Sequence, residues 1–287
     1  MPMPLVLVAG ATGALGRYVV PALKRRGYRV RALSRSVERA RVLAGQADEV
    51  RVADATRRET LAGLCDGVDV VFSCLGQSVG VAGGRGPGYR AVDYVGNHRL
   101  LELARAAGVR RFVYVSVFGA ERYPDVAYLR AHADVAAELR RSGLEYGIVQ
   151  PTGYFSAYAA FLDMARARRA VVIGDGRART NPIDDAELAE VCADTVARAE
   201  CVEVPVGGPA VYTRREVIEL ACAALGRPAR IRTVPAGLVW AAARLMQPLA
   251  PRLGELAEFF GVVATQDFVA PSYGARRLDE YFASLAR

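Results

Sequence analysis

The sequence predicts an α/β protein, with a doubly wound parallel sheet in its first half and a smaller, mostly helical C-terminal lobe. Two patterns carry this expectation. Across the first half, six short and nearly all-apolar runs alternate with amphipathic segments. Strands buried on both faces lose the polar–apolar alternation of a one-sided sheet, and repeated strand–helix–strand units build parallel sheets through right-handed crossovers. After Pro151 the rhythm loosens into longer helical patterns with only short strand candidates between them.

The spacing predicts strands at Leu5–Ala9, Arg29–Leu33, Glu49–Val52, Asp69–Cys74, Arg111–Ser116 and Glu145–Val149. Helical segments are predicted at Ala14–Arg26, Val37–Leu43, Arg57–Leu64, Tyr89–Ala107 and Tyr123–Arg141. In the second half, helices at Asp184–Ala197 and Arg214–Leu225 alternate with short strands at Val171–Ile173, Val202–Val206 and Arg230–Val234. No linker and no internal repeat separates the halves. Residues 1–150 are therefore read as a core and residues 151–287 as a substrate lobe interleaved with it, one structural domain overall.

Composition narrows the class. Hydrophobic residues make up 52% and charged residues 24% of the 287, a folded globular balance rather than a disordered one. The five cysteines (Cys65, Cys74, Cys192, Cys201, Cys222) are scattered and never form a C-x-x-C pair, and only two histidines are present. That argues for buried reduced thiols and against a metal site. The net charge of +8 comes from arginine, because Lys24 is the only lysine. The arginines are dispersed, with no basic stripe carrying interleaved aromatics, so no nucleic-acid partner is expected. The first apolar run is too short for a signal segment, and Val234–Val263 is cut by Arg244, Pro248, Pro251, Arg252 and two glutamates. No span reaches the roughly 20 apolar residues of a membrane helix. The expectation is a soluble, cytoplasmic protein with a small-molecule substrate, no membrane partner, and a homodimer as the assembly to test.

The sharpest motif is Leu5-Val-Leu-Val-Ala-Gly10-Ala11-Thr12-Gly13-Ala14-Leu15-Gly16, a buried strand running through three glycines into a helix. Gly10 permits a tight turn, Gly13 a close approach of backbone to a diphosphate, and Gly16 close packing of helix on strand. The free amides at the helix start would hold the diphosphate. This is a dinucleotide-binding fingerprint of the Rossmann type, strong because it sits between strand and helix at the head of a full βαβ unit. The second strand selects the dinucleotide. An NAD site places a carboxylate near its end, whereas this chain reads Ser34-Arg35-Ser36 there. Arg35 would pair with a 2′-phosphate, and Ser34 or Ser36 would donate beside it, which makes NADP(H) the expected cofactor. A solvated loop arginine is the alternative.

This glycine pattern recurs with Asp54, Phe72-Ser-Cys-Leu-Gly76, Asp93-Tyr-Val-Gly-Asn97, Phe112-Val-Tyr-Val-Ser116, Ser142 through Pro151 and Asn181-Pro-Ile-Asp-Asp. Together these resemble the NmrA-like atypical short-chain dehydrogenase/reductases along nearly the whole chain. The resemblance implies that Asp54 accepts from the adenine amino group, although Asp54 would also serve as a cap for the segment beginning at Arg57. It places Cys74, Leu75 and Gly76 along the ribose and diphosphate, with Ser116 and Pro151, Thr152, Gly153 and Tyr154 near the nicotinamide. Many relatives carry Tyr-x-x-x-Lys. This chain reads Tyr128-Leu-Arg-Ala-His132 in that register, and Gln150-Pro151 where relatives commonly have Arg-Pro.

Tyr128 and His132, four apart on a predicted helix, point to the same side and would act as a proton-delivery pair, with Ser116 as a further candidate. Packing roles would satisfy the same spacing. His98 reads as structural. Six of the thirteen residues from Gly76 to Gly88 are glycine, which suits either a flap over substrate or a plain connection. Phe118, Phe155 and Tyr158, with Tyr123 and Tyr154 nearby, are expected to floor an apolar or aromatic substrate pocket. The function these features predict is an NADPH-dependent reductase of a small carbonyl, enone or quinone-like molecule. A non-catalytic NADP-binding regulator and a redox-neutral isomerase, dehydratase or cyclase remain open beside it.

Overall fold

The computed structural model describes residues 3–77 and 88–286. Most of the glycine-rich stretch read as a flap, residues 78–87, lies outside them.

Seven parallel strands form the central sheet in the order β3-β2-β1-β4-β5-β6-β9. They are β1 (Leu5–Ala9), β2 (Arg29–Ser34), β3 (Glu49–Val52), β4 (Val70–Ser73), β5 (Arg111–Val115), β6 (Glu145–Pro151) and β9 (Val202–Val206). The order reverses between β1 and β4, and the crevice outside the carboxyl ends of strands at such a reversal is where open α/β sheets bind ligands. Residues of β1 alternate between the two cores. Val6 and Val8 join helix α1 (Gly16–Arg25) and α6 (Asp185–Ala197), while Leu5, Leu7 and Ala9 join α3 (Val95–Ala106) and α4 (Ala127–Arg140). Both faces are covered, which is why the strands read as continuous apolar runs.

The second half completes this sheet rather than standing apart: β9 pairs with β6, and α6 packs on α1. The remaining lobe has its own core, where α5 (Phe155–Arg166), α7 (Arg214–Ala224) and α10 (Leu278–Ala286) meet two small ribbons, β7 (Val171–Ile173) with β11 (Arg232–Val234) and β8 (Arg179–Thr180) with β10 (Tyr212–Thr213). Helices α8 (Ala236–Met246) and α9 (Pro251–Thr265) form a hairpin beside α4.

Three expectations change. Arg57–Leu64 holds only a 3-10 turn at Arg58–Thr60. There the Thr60 hydroxyl bonds back to the carbonyls of Asp54 and Arg57, and such side-chain bonds compete with helix. Tyr89–Ala107 opens with a π turn at Arg90–Tyr94 before α3 begins. Phe155 and Tyr158 do not face the crevice. They lie on α5, and Phe155, Tyr158, Leu162 and Ala165 recur at helical spacing as its buried stripe. Phe155 is 1% exposed against Tyr281, and the Tyr158 hydroxyl is held by Thr180 and Arg214.

Candidate dinucleotide and acid–base site

The glycine turn is made by backbone. Gly10 sits at φ +87°, where a side chain is strained, and a Cβ on it would stand 2.8 Å from the carbonyl oxygen of Cys74. The Gly13 amide donates to the Gly10 carbonyl at 2.9 Å and closes the turn. A Cβ on Gly16 would lie 2.1 Å from the Gly10 oxygen, so glycine there is required by the packing of α1 on the turn. Gly13 differs: a Cβ would meet only that same oxygen at 3.1 Å, and the residue is exposed toward the crevice. The amides of Thr12, Ala14 and Leu15 donate to no other backbone group among the described residues, and α1 starts next to them with no acidic side chain in its first turn. Ala11 and Leu15 are buried beneath the loop. A cradle of unpaired amides at a helix N-terminus, with space where a side chain would stand, fits a diphosphate.

At the end of β2, Arg35 is exposed and makes no hydrogen bond or ion pair with a described residue. Its serine neighbours have structural work. The Ser34 hydroxyl donates to the Ser36 carbonyl at 2.9 Å, and the Ser36 hydroxyl accepts the Arg39 amide as the N-cap of α2 (Val37–Ala40). One oxygen of Asp54 accepts from the Thr56 amide and hydroxyl. Burial opposes ionisation of Asp54, but these two bonds and the nearby Arg35 charge prevail and lower its pKa. Just past β4, Cys74 lies under Gly10, and burial pushes its thiol up to about 12. Leu75 packs against Gly96 of α3, and Gly76 faces Asp93. Asn97 ties this corner, accepting from Ser73 and donating to the carbonyls of Leu75 and Asp93.

The opposite end of the crevice is made of side chains. At the end of β6, Pro151 is buried; past it, the Thr152 hydroxyl donates to the Asn181 carbonyl, and the Gly153 carbonyl accepts the Ile183 amide. Tyr154 follows, its pKa raised by burial. Asn181 clamps two later segments, donating to the Gly208 and Ala270 carbonyls and accepting the Ala270 amide. On α4, Tyr128 is half-buried among Tyr89, His132 and Phe259, with ring centroids 4.7–5.0 Å apart. Its hydroxyl makes no hydrogen bond with a described residue. Burial, reinforced by the Asp93 charge, raises its pKa well above that of an ordinary tyrosine.

His132 lies inside the protein. Its Nδ1 is 2.7 Å from the Tyr114 hydroxyl of β5, and its Nε2 has no hydrogen-bond partner among the described residues and lies 3.6 Å from Asp93 Oδ1. Burial lowers the imidazole to about 4 and raises Asp93 to about 7, the latter against the bond from the Gln77 amide. Neither Asp93 nor Tyr114 stands out by sequence spacing. Their signal is a carboxylate and a phenol inside otherwise apolar stretches. His98 is away from this site, between Glu138 and Glu102. Ser116 and Phe118 share a separate cleft of about 290 Å³ with Gly119, Arg122, Ala133 and Gln150, and Tyr128 does not line it.

The family model described as NAD(P)H-binding matches residues 10–199. Divinyl chlorophyllide a 8-vinyl-reductase of Arabidopsis thaliana is 28% identical, over 98% of this chain and 76% of the relative. The enzyme of the same name from Oryza sativa subsp. indica is 30% identical over 98% and 78%; both relatives are described as chloroplastic. Among solved structures, an NADPH-dependent quinone oxidoreductase from Escherichia coli, complexed with NADPH, superposes with a TM-score of 0.73 at 22% identity, over 98% of this chain and all of that one.

Proposed function

This chain belongs to the NAD(P)H-binding family and is an oxidoreductase of that fold, and we propose that it reduces a planar, conjugated, mainly apolar acceptor of the enone or quinone-like class with NADPH. The observation that carries the reading is Tyr128. Its hydroxyl bonds to no described residue, no described cation lowers its pKa, and burial keeps it a phenol throughout the neutral range. A phenol in that state donates a hydrogen bond or a proton and does not act as a base. The arrangement therefore suits reduction and not alcohol oxidation, which requires a base to take the hydroxyl proton.

When bound, the dihydronicotinamide supplies the hydride. The chain's part is to hold that cofactor on the amides of Thr12, Ala14 and Leu15 with Arg35 at the 2′-phosphate, and to present Tyr128 to the acceptor oxygen. A conjugated acceptor spreads the incoming electron pair and so needs less from its proton donor than an isolated ketone does. The Tyr128 proton neutralises that oxygen and is replaced from water. His132, neutral at pH 7, orients Tyr128 edge-on at 4.7 Å instead of ionising it. The relatives at 28–30% identity are by name 8-vinyl-reductases of divinyl chlorophyllide a, which supports the reductase part of this reading.

The test is NADPH oxidation with a panel of quinones, enones and simple aliphatic ketones. Turnover is expected with the first two classes. Tyr128→Phe should lower kcat by roughly 10²–10⁴-fold with cofactor affinity unchanged. Cofactor binding without oxidation by any acceptor would overturn the reading in favour of a non-catalytic NADPH-binding protein. Conversion of substrate with no net cofactor consumption would make the chain a redox-neutral enzyme.

A further inference from the structure

We propose that the outer face of α8, together with Arg244 on its flank and Arg230 and Arg232 just before it in the chain, docks onto an anionic lipid surface. The helix is arranged in reverse for a solvent-facing element. It buries only Ala243, with Trp240 half-buried against Gly261 of α9. Its leucines point outward: Leu238 is 62% exposed, Leu245 74%, and Leu249, just beyond its end, 87%. Ala241 and Ala242 are exposed between them. Positions 238, 241, 242, 245 and 249 fall at helical spacing, so they form one apolar stripe opposite the buried side. Single exposed leucines are ordinary; a contiguous stripe of them marks an interaction surface.

Charge says what covers it. Residues 220–254 contain five arginines (227, 230, 232, 244 and 252) and no aspartate or glutamate. Arg230, Arg232 and Arg244 are exposed and form no ion pair with any described residue. A second copy is disfavoured as the occupant, because a two-fold contact sets the same patch against itself and would bring these arginines together. Exposed leucines on a short helix with arginine alongside are the composition of a segment lying in the headgroup region of an anionic bilayer. Among the described residues no helix is long and apolar enough to cross a membrane, and an interfacial helix needs no such length. The expectation of no membrane partner rested on the absence of a spanning segment, and this proposal departs from it only at the surface. It goes beyond the proposed reduction and does not depend on the acceptor. The hairpin does connect the two regions, since α9 places Phe259 against Tyr128.

The full chain is tested by co-sedimentation with vesicles of phosphatidylcholine alone and of phosphatidylcholine mixed with phosphatidylglycerol. Trp240, the only tryptophan, serves as the fluorescence reporter. Binding is expected to the mixed vesicles, weakening with salt. Leu245→Glu/Leu249→Glu and, separately, Arg230→Ser/Arg232→Ser should each weaken it by about tenfold or more, with thermal melting and NADPH affinity unchanged. No binding to either vesicle at low ionic strength overturns the proposal. So does binding to neutral vesicles that the arginine changes do not alter. A concentration-dependent dimer, lost in the leucine variant and indifferent to vesicles, would assign the face to a second copy instead.

Discussion

The two ends of the crevice are built from different materials. The diphosphate end is backbone: three glycines and unpaired amides, with almost no side chain taking part. The acid–base end is side chains gathered from four places, Asp93 from the π turn, Tyr114 from β5, Tyr128 and His132 from α4 and Phe259 from α9. A site made of backbone depends on where a Cβ is forbidden. A site made of side chains depends on burial and on which neighbours share a proton. The same kind of substitution should therefore act through geometry at one end and through electrostatics at the other.

The largest expected effects are at the glycines, and they separate fold from function within one turn. Gly16→Ala puts a Cβ 2.1 Å from the Gly10 carbonyl oxygen, which backbone must move to relieve. Overpacking of this kind destabilises by about 1–3 kcal/mol or more, read from the urea midpoint. Gly13→Val has one neighbour, the Gly10 carbonyl oxygen at 3.1 Å, and no left-handed φ, so its urea midpoint should fall less than that of Gly16→Ala. Its side chain fills the diphosphate space instead, and NADPH affinity should fall by at least about a hundredfold, or 2.7 kcal/mol. A folded Gly13→Val protein with wild-type affinity would show that the cofactor sits elsewhere.

This contrast also explains what was legible in the sequence. Strand β1 and the glycine spacing lie within a dozen contiguous residues, and the predicted boundaries of β1 and β3 match the structure to the residue. Local chemistry misled at Arg57–Leu64, where a helical pattern lost to side-chain bonds from Thr60, and at Phe155 and Tyr158, whose aromatic character concealed a helical stripe. The i, i+4 spacing of Tyr128 and His132 was visible. That His132 points inward to Tyr114 and Asp93 was not, because those partners are 18 and 39 positions away and only the βαβ topology brings them together. Asn181 is similar: the sequence shows the motif, while the clamp on Gly208 and Ala270 exists only after folding.

A smaller effect examines the side-chain end through pH. Burial raises Asp93 from 3.8 to about 7 and lowers His132 from 6.5 to about 4. Between pH 4 and 6.5 the folded pair holds one proton, on Asp93, and the unfolded chain also holds one, on the imidazole. The pair therefore adds almost no pH dependence while both members are present. Asp93→Asn leaves His132 alone. The unfolded chain then gains a proton below 6.5 that the folded protein refuses until about 4, so stability falls as pH drops through that window. His132→Gln leaves Asp93, whose folded carboxyl keeps its proton up to about 7. Its contribution is complete below 3.8 and is lost as pH rises toward 7. Relative to wild type, urea midpoints of the two variants should slope in opposite directions, each approaching about 1.4 kcal/mol per pH unit. Slopes of the same sign would mean that the two groups are not the sharing pair the geometry suggests.

The smallest effect returns to the cofactor end, at the one place where that end relies on a side chain. Arg35 is exposed and has no described partner, so removing it should leave stability within about 0.5 kcal/mol. Ser34 has committed its hydroxyl to the Ser36 carbonyl, and Ser36 caps α2, which leaves the guanidinium as the main reader of a 2′-phosphate. NADPH should bind at least about tenfold more tightly than NADH, near 1.4 kcal/mol, and Arg35→Ala should erase that margin by weakening NADPH alone. Ser36→Ala provides the contrast: loss of the cap should cost about 1 kcal/mol of stability and leave most of the preference intact. Fluorescence titration of both cofactors against the three proteins measures each term. Equal affinities in the wild type, unchanged by Arg35→Ala, would make Arg35 a solvated loop residue. The choice between dinucleotides would then rest on backbone, as the rest of that end does.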